Sequence, residues 1–309
     1  MMELMKYLII LKKLMIKKNN FPIVSVIVTT FNRKNMLKTT IESILSQTFS
    51  QFELLIIDNF SNYDFINFIN SFNDSRIKSF QNKNHGIIAV NRNFGLKKSL
   101  GKYIAFCDDD DYWNKDKLLD QIKVFQNFNT ILVSSLALNF GTNTSFFSKN
   151  YGFLYNRTKL DYESLLISNP IILSSTLIKS EVLRKVGGFS EDKNLIAVED
   201  YDLYLRIFEL GNFILIKKFL IYYRFHVGSV SKSGIDDKFR KQKLFKLRGI
   251  KKQIDNNNIL NIRSFKNFFV LILINNFIQF FLICKIKFLV HCSNIFNLDS
   301  FIYVDNYKK

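Results

Sequence analysis

The sequence predicts an α/β fold: a doubly wound, mainly parallel sheet with helices on both faces. Short β-branched and aliphatic runs typical of buried strands alternate with stretches whose apolar residues recur at helical spacing. A chain of 309 residues with 48% apolar content is also long enough to bury a large core. Strands that alternate with helices pair in parallel, and such sheets bind ligands beyond the carboxyl ends of their strands.

The first third of the chain supplies the clearest alternation. Strands are expected at 24–29, 52–58, 77–81 and 102–108, and helices at 35–46, 64–72 and 87–100. Thr29, Asp58 and Asp108 end three of these strands. The fold therefore brings these residues to one edge of the sheet.

The pattern weakens after Trp113. We expect a helix at 117–128, a polar loop at 139–150, a strand at 172–178, a short helix with a glycine stop at 180–189, an amphipathic helix at 199–211 and a pair of strands at 213–226.

Both ends of the chain differ in composition from the middle. Residues 1–20 repeat apolar residues at helical spacing among lysines, which predicts a basic amphipathic segment or a helix that caps the domain. Residues 234–309 are first basic and then apolar, and we expect them to be helical. Their stretch 268–284 contains two asparagines and a glutamine and is short for a membrane span, so a helix in the membrane interface or packed on the domain is preferred. The central domain is predicted at 21–233.

The net charge of +18 points to an anionic partner: nucleic acid, an acidic membrane surface or a phosphorylated substrate. The charge alone does not choose among them. The three cysteines show no pairing pattern, which argues against a disulfide framework or a structural zinc site and favours a reducing cytoplasm.

Four consecutive aspartates, Asp108 to Asp111, follow a strand that is expected to be buried. Adjacent carboxylates repel one another unless a cation lies among them. Oxygen ligands without histidine or cysteine nearby favour Mg²⁺ or Mn²⁺ over zinc, and substrate phosphates commonly complete the coordination of such an ion. By itself such a run is more often a solvated acidic turn or an adventitious calcium site.

Five blocks of sequence stand out along the chain: "VSVIVTTFNR", "ELLIIDNFSN", "NRNFGLKKSLGKYIAFCDDDDYW", "VGGFSEDKNLIAVEDYDLYLRI" and "YYRFHVGSVS". Together they resemble the family 2 glycosyltransferases of GT-A fold, in that family's order and approximate spacing. The resemblance implies that a sugar is transferred, with inversion, from a nucleotide diphosphate donor to an acceptor hydroxyl.

The resemblance also implies roles for the donor-side residues. Asp108 would contact the ribose and Asp110 the metal, while Thr29 and Phe31 would flank the base. Asp58 matches the first member of an acidic pair in the family. Its second position is Asn59, and Phe60 stands where glycine is common, which weakens the usual inference of a uracil base.

Two basic positions match the family with alternatives left open. Arg92 matches an arginine near the diphosphate and ribose, but a helix-surface arginine in an ion pair is equally compatible with the sequence. His226 matches a histidine by the metal or diphosphate, and a purely structural histidine is the alternative.

The block "VED" supplies the second acidic motif. Asp200 would be the general base that takes the proton of the attacking hydroxyl, and Glu199 its support or an acceptor contact. The alternative is a helix N-terminus with favourably placed charges. For Tyr112 and Trp113 a place in the core is preferred over the acceptor site.

The predicted function is therefore a hexosyl- or N-acetylhexosaminyltransferase that uses a UDP-sugar by preference. Its acceptor would be a growing surface polysaccharide or a lipid-linked saccharide, reached from the cytoplasm by peripheral contact with an anionic membrane. Three alternatives remain: a nucleotidyltransferase, although "TTFNRKN" lacks the expected glycine; a non-catalytic GT-A-like binding protein; and a nucleic-acid-binding protein, whose ligand the aspartates would repel.

Overall fold

A computed structural model describes residues 21–141, 150–151, 159–160, 162, 165, 169–225 and 244–245. The chain divides into two compact units, Met1–Leu244 and Phe245–Lys309, and the fold below is that of the first. The predictions for 1–20, His226 and 234–309 concern positions that lie, apart from 244–245, outside the described residues. No helix in the described part of the chain is long and apolar enough to cross a membrane.

Ten strands and six α-helices are described. The strands are β1 (Val24–Thr30), β2 (Phe52–Asp58), β3 (Ile77–Gln81), β4 (Tyr103–Asp108), β5 (Tyr112–Trp113), β6 (Leu132–Gly141), β7 (Asn150–Tyr151), β8 (Lys159–Leu160), β9 (Leu177–Lys179) and β10 (Phe213–Phe225). The helices are α1 (Lys34–Leu45), α2 (Phe65–Asn70), α3 (Ile88–Lys98), α4 (Lys117–Asn127), α5 (Ser180–Lys185) and α6 (Glu199–Phe208).

The strands form one mixed sheet in the order β3-β2-β1-β4-β9-β6-β10-β5, with β7 beside β6 and β8 beside β10. The first four strands are parallel, as predicted. The short strand β9 runs antiparallel between β4 and β6, so that β6 and β10 again run in the direction of β4. Mainly parallel pairing is therefore confirmed for the half of the sheet that supplies the predicted edge.

The register of this half brings the predicted residues together. Thr29 lies opposite Asp108, and Thr30 lies opposite Asp58. Strands β1, β2 and β4 are buried almost throughout, and helix α3 approaches β1 so closely that a Cβ on Gly95 would lie 2.6 Å from the Ile27 side chain. Dense packing around β1, β2 and β4 thus fixes the position of their carboxyl ends.

The structure differs from the prediction in the second half of the chain. The predicted pair of strands at 213–226 is wrong: β10 is a single strand of 13 residues, with irregular register between Ile216 and Ile221. Lysines interrupt the apolar pattern there, but a bulge lets the strand continue through them. The strand predicted at 172–178 begins instead as a turn of 3₁₀ helix, Leu173–Ser175.

Strand β6 was not predicted, and it extends into the stretch 139–150 that was expected to be a loop. Its residues Ser134 and Ser135 break the apolar pattern, yet both are buried. The preference for Trp113 as a core residue is confirmed, since it is 3% exposed. Tyr112 stacks on Tyr222 of β10 with ring centroids 4.5 Å apart.

Candidate functional site

The four aspartates alternate between buried and partly exposed positions, because the chain turns between β4 and β5. Asp109 and Asp111 are buried. The side chains of Asp108 and Asp110 keep 30% and 13% of their surface exposed. The carboxylates of Asp109 and Asp111 are therefore part of the packed interior, whereas a ligand can reach those of Asp108 and Asp110.

The buried pair is held by hydrogen bonds. The Ser174 hydroxyl donates to Asp111 Oδ2 at 2.6 Å, and the Arg224 backbone N–H donates to Asp111 Oδ1 at 3.0 Å. The Thr30 hydroxyl donates to Asp109 Oδ2 at 2.7 Å. Burial raises the pKa of Asp109 to about 6, against the lowering effect of Arg33, and burial together with Asp110 raises the pKa of Asp111. These two residues shape the turn that presents Asp108 and Asp110.

A cation from the chain itself lies among the aspartates. Arg33 Nη1 is 2.9 Å from Asp109 Oδ1 and 3.0 Å from Asp110 Oδ2. Arg33 directly precedes helix α1, and Thr40 in the middle of that helix donates to the Asp109 carbonyl of the turn. The repulsion expected within the aspartate run is thus relieved in part by a guanidinium.

A second arginine joins the two acidic motifs. Arg92 of helix α3 donates from Nη2 to Asp108 Oδ1 at 3.0 Å and from Nη1 to Glu199 Oε1 at 2.6 Å. Its side chain is 6% exposed, so Arg92 does not lie on the helix surface, although the ion pairing of that alternative is present. Despite burial, the charges of Asp108 and Glu199 raise the pKa of Arg92, which keeps its guanidinium charged. Residues far apart in the sequence thereby become one site.

Glu199 and Asp200 occupy the first turn of helix α6 and have different surroundings. Glu199 Oε2 is buried and has no hydrogen-bond partner in the described part of the chain. Asp200 Oδ1 accepts the Tyr201 N–H at 2.7 Å. Burial, and next the charge of Glu199, raise the pKa of Asp200 to about 7. A carboxyl group that titrates near neutrality is suited to proton transfer, whereas a solvated helix N-terminus would not raise its pKa in this way.

The predicted base-side residues lie at the ends of β1 and β2. Phe31 and Phe60 are 50% and 48% exposed, and Phe60 has a φ of +59°, a conformation that favours glycine. Thr29 is buried. The rings of Phe31 and Phe60 therefore form exposed apolar surface next to the carboxyl ends of β1 and β2.

The side-chain oxygens of Asp58 and Asn59, the two positions that match the family's acidic pair, accept hydrogen bonds from other residues of the chain. Asp58 is fully buried and accepts hydrogen bonds from Ser61 and Gln81. Asn59 Oδ1 accepts the Asn84 N–H at 2.9 Å. Asp58 therefore organises the loop after β2, and the orientation of the Asn59 amide is set by the backbone of the next loop.

The residues present fit a divalent cation that is completed by a ligand. No three acidic, histidine or cysteine side chains converge on one point within the described ranges. Asp108 and Asp110 nevertheless offer partly exposed carboxylate oxygens at the end of β4. Magnesium is typically held by one or two carboxylates together with substrate phosphates, which matches this donor set.

Structural comparison defines the class of the protein. S. aureus TarS, residues 1–349 with UDP, superposes with a TM-score of 0.56 at 21% identity over 65% of this chain and 60% of the TarS chain. The mannosyltransferase PcManGT of Pyrobaculum calidifontis, with GDP-Man and Mn²⁺, superposes with a TM-score of 0.52 at 19% identity over 69% of this chain and 59% of that one. The chain thus spans about 60% of these solved proteins. The fold is GT-A.

Sequence comparison defines the family. The model of glycosyl transferase family 2 matches residues 25–187. The UDP-Glc:alpha-D-GlcNAc-diphosphoundecaprenol beta-1,3-glucosyltransferase WfaP of Escherichia coli is 34% identical over 239 residues, 74% of this chain and 88% of WfaP. WfgD of E. coli, which is also a UDP-Glc:alpha-D-GlcNAc-diphosphoundecaprenol beta-1,3-glucosyltransferase, is 30% identical over 62% of this chain and 71% of its own length. The chain belongs to glycosyl transferase family 2 and is a glycosyltransferase.

Sequence reasoning missed several residues that build the site. Three segments hold the aspartate turn: helix α1 with the residue before it, the 3₁₀ turn, and β10. The residues concerned are Arg33, Thr40, Ser174 and Arg224. Only Arg33 could have been found from the sequence, because it closely follows the strand predicted at 24–29, whose carboxyl end was expected to bind ligands. Ala197 was also missed. Its φ of +71° places a strained residue two positions before Glu199, a kind of strain that is concentrated at functional sites.

Proposed function

We propose that this glycosyltransferase moves a hexose or N-acetylhexosamine from a UDP-sugar to a hydroxyl of a lipid-linked saccharide, with inversion. The observation that carries the proposal is the buried Arg92, which joins Asp108 of the donor motif to Glu199 beside Asp200. The donor and acceptor sides of one reaction centre are thereby connected through a single guanidinium.

Asp200 acts as the general base in this proposal. It is half-buried, and its raised pKa lets it accept a proton from an acceptor hydroxyl near neutral pH. Glu199 keeps one buried oxygen unpartnered within the described residues, so it can accept a hydrogen bond from a substrate hydroxyl as well as hold Arg92.

The donor lies along the carboxyl ends of β1, β2 and β4. The base packs against Phe31 and lies near Thr29, Asp58 and Asn59, while Asp108 and Arg92 serve the ribose and diphosphate. Asp110 would hold the metal, Mn²⁺ or Mg²⁺, which when bound would neutralise charge on the departing diphosphate. His226 is proposed as a further metal contact.

The acceptor class rests on the relatives. WfaP and WfgD both act on alpha-D-GlcNAc-diphosphoundecaprenol with UDP-Glc as donor. A lipid-linked acceptor would place this protein at the cytoplasmic face of the membrane, in polysaccharide synthesis of the lipopolysaccharide or capsule type. The net charge of +18 suits peripheral contact with anionic lipid.

Calorimetric titration with UDP, GDP, dTDP and CMP, each with and without Mn²⁺, tests the donor site. We expect Mn²⁺-dependent binding of UDP that Asp110→Ala abolishes. A transfer assay with UDP-Glc and a GlcNAc-diphospholipid then tests the acceptor. Absence of nucleotide binding in the wild-type protein would contradict the proposal and favour a non-catalytic GT-A-like protein.

A further inference from the structure

Arg33 supplies a positive charge among the aspartates. Its Nη1 bridges Asp109 Oδ1 and Asp110 Oδ2 at 2.9 and 3.0 Å. We infer that Arg33 is a displaceable counter-cation: it pairs with Asp110 in the donor-free protein and moves its guanidinium to the donor diphosphate when a divalent ion binds. This inference rests on the proposed function for the identity of the ion and the donor.

The pair with Asp110 must weaken when the ion arrives. A divalent ion binds carboxylate oxygens at about 2.1 Å, so a guanidinium on the same carboxylate would lie within a few ångströms of it. Two cations at that distance repel by several kcal/mol unless water screens them. While Arg33 remains on Asp110, the affinity of the site for the ion is therefore reduced.

The backbone of Arg33 is fixed, and its side chain is partly exposed. The Arg33 carbonyl accepts the Leu37 N–H at 2.9 Å, and Leu37 is buried. The side chain of Arg33 is 32% exposed, against 6% for that of Arg92. Asp109 is held independently by Thr30, so it does not depend on Arg33 for its position. Of these two arginines, Arg92 is enclosed and Arg33 borders solvent.

A diphosphate suits the displaced guanidinium. The planar fork of arginine matches phosphate oxygens, and charge-assisted bonds of this kind are among the strongest hydrogen bonds in proteins. Arg33 precedes a helix of 12 residues, whose N-terminal dipole favours an anion nearby. A diphosphate bound through an ion on Asp110 would arrive within reach of the side chain that the ion has released.

The test compares Arg33→Gln with Lys38→Gln, which removes the same charge from an exposed ion pair on helix α1. Mn²⁺ affinity is measured by electron paramagnetic resonance without nucleotide, and UDP affinity by calorimetry at saturating Mn²⁺. In Arg33→Gln we expect Mn²⁺ to bind about tenfold more tightly and UDP about tenfold more weakly. Lys38→Gln should leave both affinities at the wild-type values.

The two opposite changes separate this role from a structural one. A merely structural Arg33 would weaken Mn²⁺ binding when it is lost, and equal or weaker Mn²⁺ binding overturns the inference. Unchanged UDP affinity overturns it as well. Either result leaves Mn²⁺-dependent UDP binding by the wild-type protein intact, whereas failure of the proposed function removes that binding.

Arg33→Lys provides a second variant in case Arg33→Gln does not fold. It keeps the charge but loses the bidentate fork. We expect Mn²⁺ affinity close to that of the wild type and UDP affinity reduced about threefold. Full wild-type UDP affinity in Arg33→Lys would count against the transfer of the guanidinium to the diphosphate.

Discussion

The carboxyl group of Asp200 is raised in pKa by its surroundings and still borders solvent. Burial and Glu199 disfavour its charged form, and the nearby Arg92 opposes them. The result is a group that can both gain and lose a proton close to neutrality. At the scale of single residues, Asp202 of the same helix has a different setting, since it is buried in an ion pair with Arg206.

Asp200→Asn should abolish transfer and leave donor binding unchanged, because an amide cannot take the acceptor's proton. We expect turnover to fall by at least about a hundredfold, the usual contribution of a general base, with the UDP affinity of the wild type. Glu209→Gln removes a carboxylate from the exposed end of the same helix and is the matched control. Turnover in Asp200→Asn within a few fold of the wild type would exclude Asp200 as the base.

The pH dependence of kcat/KM should report the ionisation of Asp200. A general base works only when ionised, and the pKa of Asp200 is raised to about 7, so kcat/KM should be lost as the pH falls below about 7 and level off above it. Glu199→Gln removes the like charge beside Asp200, which lowers the pKa of Asp200 and moves this limb to lower pH. A profile that is flat down to about pH 5 would contradict the assignment.

At the scale of elements, helix α1 is joined to the aspartate turn through Thr40. The Thr40 hydroxyl lies 2.6 Å from the Asp111 carbonyl oxygen and 3.0 Å from that of Asp109, and the residue is buried. Helix α1 also starts next to Arg33, so it touches the turn at two points. A rigid helix thus sets the orientation of the loop that presents Asp108 and Asp110.

Thr40→Val keeps the shape of the side chain and removes its hydroxyl. Two buried carbonyl groups then lose a donor, and we expect a loss of about 1–3 kcal/mol in the free energy of unfolding, with UDP affinity in Mn²⁺ reduced several-fold. Urea denaturation and calorimetry measure these two quantities. Thr39→Val, an exposed neighbour on the same helix, should change neither; equal effects from both variants would show that the loss comes from the helix and not from the turn.

At the scale of the whole molecule, a second polar cluster lies at the amino ends of the strands, opposite the ends that carry the aspartates. Glu53 of β2 is buried and accepts hydrogen bonds from Ser25 Oγ of β1, from the Leu100 N–H ahead of β4 and from Lys78 Nζ of β3. Glu53 therefore joins three strands and one loop at the amino ends of the strands, away from the aspartates. This cluster therefore stabilises the sheet at a distance from the candidate site.

Glu53→Gln should lower stability without changing donor binding. The amide loses the charge that strengthens these bonds, and we expect a decrease of about 2 kcal/mol in the free energy of unfolding. Urea denaturation gives the decrease, and UDP titration at low temperature gives the affinity. Glu42→Gln, at an exposed ion pair, is the control. A changed UDP affinity in folded Glu53→Gln would show that the two edges are coupled.

Much of this molecule follows from the local sequence. The strands β1 to β4 and the helices between them were predictable because their apolar residues repeat at the period of each element, and parallel pairing then brought Thr29, Asp58 and Asp108 to one edge. Strand β6 and the continuity of β10 were not predictable. In them serines and lysines interrupt the pattern, and only pairing with neighbouring strands and burial decides the outcome.

The same division holds for the site. The sequence by itself determined the fold class, the family and the two acidic motifs, because each depends on residues that are close together in the chain. Only the tertiary structure decided that Arg92 is buried between Asp108 and Glu199, that Asp58 is enclosed by Ser61 and Gln81, and that Arg33 lies on Asp110. These facts depend on burial and on charges contributed by distant segments, and no local pattern encodes the distance between them.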